Sequence, residues 1–155
     1  MHRCIDARDI APFFGVADAE VLADRMLNTI PRNNSLARRV GPVYDTPRVE
    51  EITGWRKQGI ADRRSRGTIL AVKTSDSHWF YPVFQFKGTG MDPKIKMVLE
   101  AFRANGPHDT WMIATWFRNP KDRLDGMSPV EWIQRGHDPQ GVVSLARGTA
   151  RQWAA

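Results

Sequence analysis

The sequence predicts a mainly α protein with three parts: a helical N-terminal segment, a small winged helix-turn-helix with one β-hairpin, and a C-terminal helical bundle. Three observations predict it. Asp92-Pro93, Ser128-Pro129 and Asp138-Pro139 each stand just ahead of apolar residues at helical spacing, which is how a capped helix begins. The run Thr68-Ile69-Leu70-Ala71-Val72-Lys73 and the run His78-Trp79-Phe80-Tyr81 flank a polar turn at Thr74-Ser75-Asp76-Ser77, the pattern of a hairpin. At 155 residues, 41% hydrophobic and 26% charged, the chain is of single-domain size and buries a core without help from a metal or disulfide.

Residues 1–45 form the first part. Asp18 caps a helix that carries Leu22, Ala23, Met26, Leu27 and Ile30 on one face, and Pro31 stops it. A turn at Asn33-Asn34-Ser35 leads into a short basic helix, Leu36 to Val40, ended by Gly41-Pro42. This part serves packing or dimerisation.

Residues 46–90 form the second part. Thr46-Pro47 starts a helix with Pro47 at its first position, Glu50 and Glu51 suit its early turns, and Gly54 breaks it. A second helix runs from about Lys57 to Arg66 and stops at Gly67, with Gly59 inside it at a propensity cost of about 1 kcal/mol. The hairpin follows, closed by Pro82.

Residues 91–155 form the third part. Asp92 opens a helix with Ile95, Val98, Leu99 and Phe102 on one face, closed by Asn105-Gly106-Pro107. Asp109 opens another, with Ile113, Trp116 and Phe117, ended at Asn119-Pro120. Ser128 and Glu131 form a capping box for a short helix that ends at Gly136. The last helix sets Val142, Leu145, Ala146, Ala150 and Trp153 along one side.

Charge and rare residues bound the function. Lys and Arg total 23 against 17 for Asp and Glu, a net charge of +6, with a pI near 10.0; such a balance favours a polyanionic partner. The single cysteine, Cys4, excludes an intrachain disulfide and an all-cysteine zinc site. His2, His78, His108 and His137 are scattered, Gly88-Thr89-Gly90 lacks the Lys-Ser/Thr of a phosphate loop, and Asp122 with Asp125 offers too few oxygens for calcium. No catalytic residue, metal ligand or cofactor is expected, and the protein is read as a non-enzyme. No apolar run reaches membrane length, and Met1 to Asp6 lacks the apolar centre of a signal peptide. The expected location is cytoplasmic.

The strongest functional signal lies between Arg56 and Arg66. Arg56, Lys57, Arg63, Arg64 and Arg66 stand against Asp62 alone, on the second helix of the helix-turn-helix. A recognition helix there enters the major groove, its cations neutralise phosphates or pair with guanine, and Gln58 can read adenine. Lys73, Ser75 and His78 on the hairpin would lie near a flanking groove or the backbone. The other reading is a solvated arginine-rich face. Six or so phosphate contacts would give a salt slope of about −5. In the third part, Trp116 reads as core, while Trp132 and Trp153 read equally as core or as a protein-binding surface.

The stretch Trp116-Phe117-Arg118-Asn119-Pro120, then Leu124-Asp125-Gly126, then Ser128-Pro129-Val130-Glu131-Trp132-Ile133 and Gly136 resembles the C-terminal toxin-binding domain of the Xre/MbcA/ParS antitoxin family. The resemblance covers about residues 91–155. Residues 46–86, ending Tyr81-Pro82-Val83-Phe84-Gln85-Phe86, resemble the small DNA-binding domain that precedes this module in actinobacterial-type members. The resemblance implies an antitoxin that blocks a cognate toxin, commonly of the NAD-consuming RES class, and represses its own promoter as a homodimer or larger toxin–antitoxin complex. It directs Trp132, Arg147, Arg151, Gln152 and Trp153 toward the toxin, with the chain end as a small, flexible segment at the toxin's NAD pocket. The hairpin after the second helix departs from the usual all-helical Xre repressor domain. The alternative is a stand-alone winged-helix transcription regulator or excisionase-like factor whose C-terminal module only dimerises. An enzyme or RNA-binding protein ranks behind both, because these residues assemble no polar pocket.

Overall fold

The computed structural model describes residues 40–155. Cys4, His2, the expected helix from Asp18 to Ile30 and all but the last residue of the short basic helix lie outside them. The described chain is mainly helical, with two small antiparallel sheets.

The chain enters through strand β1 (Val43–Asp45), then helix α1 (Thr46–Thr53). Asp45 caps α1, its carboxylate accepting from the Arg48 N–H at 3.0 Å. The cap thus lies one residue ahead of the expected Thr46. Pro47 occupies the first turn, where its missing N–H costs nothing, and Gly54 at φ 76° ends the helix. Helix α2 (Lys57–Arg66) has the bounds the sequence predicts. Gly67, at φ 73°, closes it by donating its N–H to the Arg63 and Arg64 carbonyls. This left-handed position is one that glycine fills without strain.

The β structure is where expectation and structure part. Strands β2 (Val72–Lys73) and β3 (Trp79–Pro82) form the expected hairpin, but β1 joins them, antiparallel to β3, in the order β1-β3-β2. Tyr44 lies opposite Tyr81, and Val72 opposite Phe80. Three-residue β1 is too short to display alternation. The expected strand over Thr68–Lys73 contracts to its last two residues because a side chain replaces its neighbour strand. The Leu70 N–H donates to the Gln85 side-chain Oε1 at 2.7 Å, and the Gln85 Nε2 donates to the Leu70 carbonyl at 2.7 Å. Ile69, Leu70 and Ala71 are buried as their composition requires. Gln85 ends a 3-10 turn (Val83–Gln85) and leads into a second unexpected hairpin, β4 (Phe86–Lys87) with β5 (Gly90–Met91).

Four helices follow: α3 (Pro93–Arg103), α4 (Thr110–Arg118), α5 (Pro129–Gln134) and α6 (Gln140–Ala154). Each has its cap. Asp92, Asp109 and Asp138 carboxylates accept from the N–H two residues on, and Ser128 with Glu131 makes both bonds of a capping box. Helix α3 packs along α6, and α4 against α5. The apolar positions expected inside are inside, with Leu145 and Trp153 only partly so; Val143 is buried as well. Phe102 is the hub: Trp116 meets it edge-on at 4.9 Å and Trp153 stacks on it at 5.4 Å. One continuous core joins sheet and helices. None of the described helices is long and apolar enough to cross a membrane.

Candidate nucleic-acid interface

Helix α2 buries only Ile60. The rest of its surface is polar, and its basic residues divide into two groups. Arg56, Lys57 and Arg66 are exposed. Arg63 and Arg64 are half-buried. The Arg63 guanidinium lies 3.8 Å from the centre of the Trp55 ring and donates to the Gly59 carbonyl at 3.2 Å. That of Arg64 lies 4.3 Å over Trp79 and donates to the Tyr81 hydroxyl at 2.9 Å. The same hydroxyl bonds Thr46 at 3.1 Å, so Arg64 ties α2 to the start of α1 through β3.

These arginine–indole contacts hold the two side chains in place against their rings. Trp55 and Trp79 are thus the residues that sequence reasoning missed; their places beside a basic helix were the available signal. Gln58 is exposed, and its amide donates to Asp62 at 3.1 Å one turn on. Reading a base would require it to leave that bond.

The hairpin presents Lys73, Ser75 and His78 to solvent, as expected. Its tip also carries Asp76. The Thr74 hydroxyl donates to that carboxylate, and His78 Nδ1 lies 3.0 Å from it. These two contacts, Thr74 foremost, hold the Asp76 carboxyl below its ordinary range. The tip is therefore less cationic than Lys73 alone would make it.

The C-terminal candidates spread over two places. Trp132 is half-buried, donating its indole N–H to the Asp138 carbonyl at 2.8 Å with the His137 ring 4.4 Å away. Arg147, Arg151 and Gln152 are exposed on α6. Trp153 lies between Phe102 and His108, 5.4 Å and 5.6 Å away. It does pack on the core. The expected flexible end is instead helix as far as Ala154, because Trp153 stacks on Phe102 of α3 and Ala150 is buried in the core. Lys121 is also half-buried, 5.0 Å over Trp116, and burial lowers its pKa. Among the described residues, no group of three His, Cys, Asp or Glu side chains is placed to hold a metal ion.

No family model matches the chain, and no curated protein does. Among solved structures, the NMR structure of Rv2175c is similar, with a TM-score of 0.59 and 24% identity. The likeness covers 70% of this chain and 81% of that one. At this identity it is a likeness of fold.

Proposed function

We propose that the chain is an antitoxin. It binds duplex operator DNA through α2 and holds a toxin of the NAD-consuming RES class against its C-terminal helices. The observation that carries the reading is the order strand, helix, helix, strand, strand, with the sheet arranged β1-β3-β2 and a basic second helix left open on its outer face. That order supports a winged-helix reading, in which the second helix enters the major groove and the hairpin lies beside it.

In this reading Arg56, Lys57, Arg66 and Lys73 meet phosphates, being the exposed cations of α2 and the wing. Arg63 and Arg64 act from fixed positions on their indoles. The toxin-binding half rests on the motif from Trp116 to Gly136, together with Arg147, Arg151 and Gln152 standing free on α6.

Fluorescence anisotropy with duplex DNA at several salt concentrations tests the first half. Four phosphate contacts predict a slope of log affinity on log salt of about −3.6. Replacing Arg56, Lys57 and Arg66 by alanine should flatten it to about −1 and weaken every sequence alike. An unchanged slope would refute α2 as the contact. The second half is tested by co-expression with the product of the adjacent gene. Rescue of growth and a stable complex are expected, both reduced in Arg147→Glu/Arg151→Glu. Point changes are preferred to truncation after Gly148, which would strip Ala150 and Trp153 from the core. DNA binding without rescue would leave a stand-alone regulator.

A further inference from the structure

A cavity of about 470 Å³ opens between the C-terminal end of α2 and the turn joining α3 to α4. Its size is that of a small-molecule site, for which about 300–1,000 Å³ is usual. Its walls are mainly apolar, with Leu70, Leu99, Phe102 and Ile113 among them. Three arginines, Arg64, Arg66 and Arg103, and one histidine, His108, also line it, and no carboxylate does.

That charge arrangement is unbalanced. None of the three arginines has a carboxylate within ion-pair distance among the described residues. Arg64 spends one donor on Tyr81, and Arg103 one on the Arg66 carbonyl at 3.1 Å. Each guanidinium has five N–H donors in a fork suited to a carboxylate or phosphate, so most remain available. The Nε2 of His108 is buried without a partner among the described residues. The carbonyl end of α2 would ordinarily repel an anion. Here the Gly67 N–H, the Thr68 N–H and Arg103 already occupy its last carbonyls.

We propose that this cavity binds a small organic anion: a carboxylate or phosphate ester whose charge meets the arginine rim and whose apolar body fills the space beside Leu99 and Phe102. The site shares Arg64 and Arg66 with the face proposed for DNA, but its test contains no DNA and its outcome does not depend on that reading.

The test titrates 1-naphthoate into the full isotope-labelled chain and follows amide shifts. Binding is expected, with shifts gathered at residues 64–71 and 99–113. Arg66→Ala/Arg103→Ala should lose about tenfold or more in affinity, the scale of losing hydrogen bonds to a charged group. Both side chains are exposed, and an unchanged melting temperature would confirm that the variant is folded. Naphthalene-methanol, which has the body without the charge, and inorganic phosphate, which has the charge without the body, should each bind much more weakly. Equal binding by either compound would overturn the proposal. So would unchanged affinity in the folded variant, scattered shifts, or no binding of 1-naphthoate.

Discussion

Helices α2 and α4 are nearly the same length and lie on the same core, yet α2 buries one residue, Ile60, and α4 buries five in a row, Ile113 to Phe117. Apolar area fixes α4. Helix α2 is held at its edges: by Ile60, by two guanidinium–indole contacts, by the Gly67 closure and by Arg103 on its last carbonyl. A helix secured this way leaves its outer face free of packing duty. The comparison teaches a division of labour. Stability resides in the aromatic centre under α3, α4 and α6, whereas charge chemistry resides on α2.

That division can be broken by denaturation. Phe102→Ala removes the ring on which Trp116 and Trp153 pack and should cost about 3–5 kcal/mol in a urea titration. Lys57→Ala, on the exposed face of α2, should stay within about 0.5 kcal/mol of the parent. Equal losses from the two would show that α2 is as structural as α4. Gln85→Ala comes next, on the sheet side of the comparison. It leaves the buried Leu70 N–H and carbonyl without their partners, at an expected cost of about 2–4 kcal/mol. Amide exchange at Leu70 should accelerate even where the global loss is small.

The same contrast explains what could be read in advance. Helices α3 to α6 announce themselves twice, by Asp or Ser caps, with a proline beside the cap in α3, α5 and α6, and by apolar spacing, so their limits follow from local chemistry. Helix α2 was found through Gly67 and its charges, without an apolar stripe. The sheet was read only in part. Strand β1 has no periodicity to show, and the Leu70 segment is satisfied by a side chain fifteen residues away. No local rule reveals a clamp made by one glutamine. The candidate interface was legible as a list of cations. Their division into free and parked groups depends on Trp55 and Trp79, which fold back from either side of the helix.

The smallest expected effect sharpens the contrast from the charge side. Asp76 is exposed, so protonating it changes global stability little, but it organises the hairpin tip through Thr74 and His78. Its carboxyl is held below the ordinary range in the folded chain. The unfolded chain therefore takes up this proton first as pH falls. The tip's contribution is complete above the ordinary carboxylate range and is lost as pH falls through the lowered folded value. Amide shifts of Ser77 and His78 should report that titration in the parent chain and lack it in Asp76→Asn. At neutral pH the same variant removes a negative charge from beside Lys73. If the hairpin lies against DNA, affinity should rise by a few-fold at low salt, with the gain fading as salt screens it. An identical gain at every salt concentration would mean that Asp76 acts through the shape of the turn, and the hairpin would then belong with the packed half of the molecule.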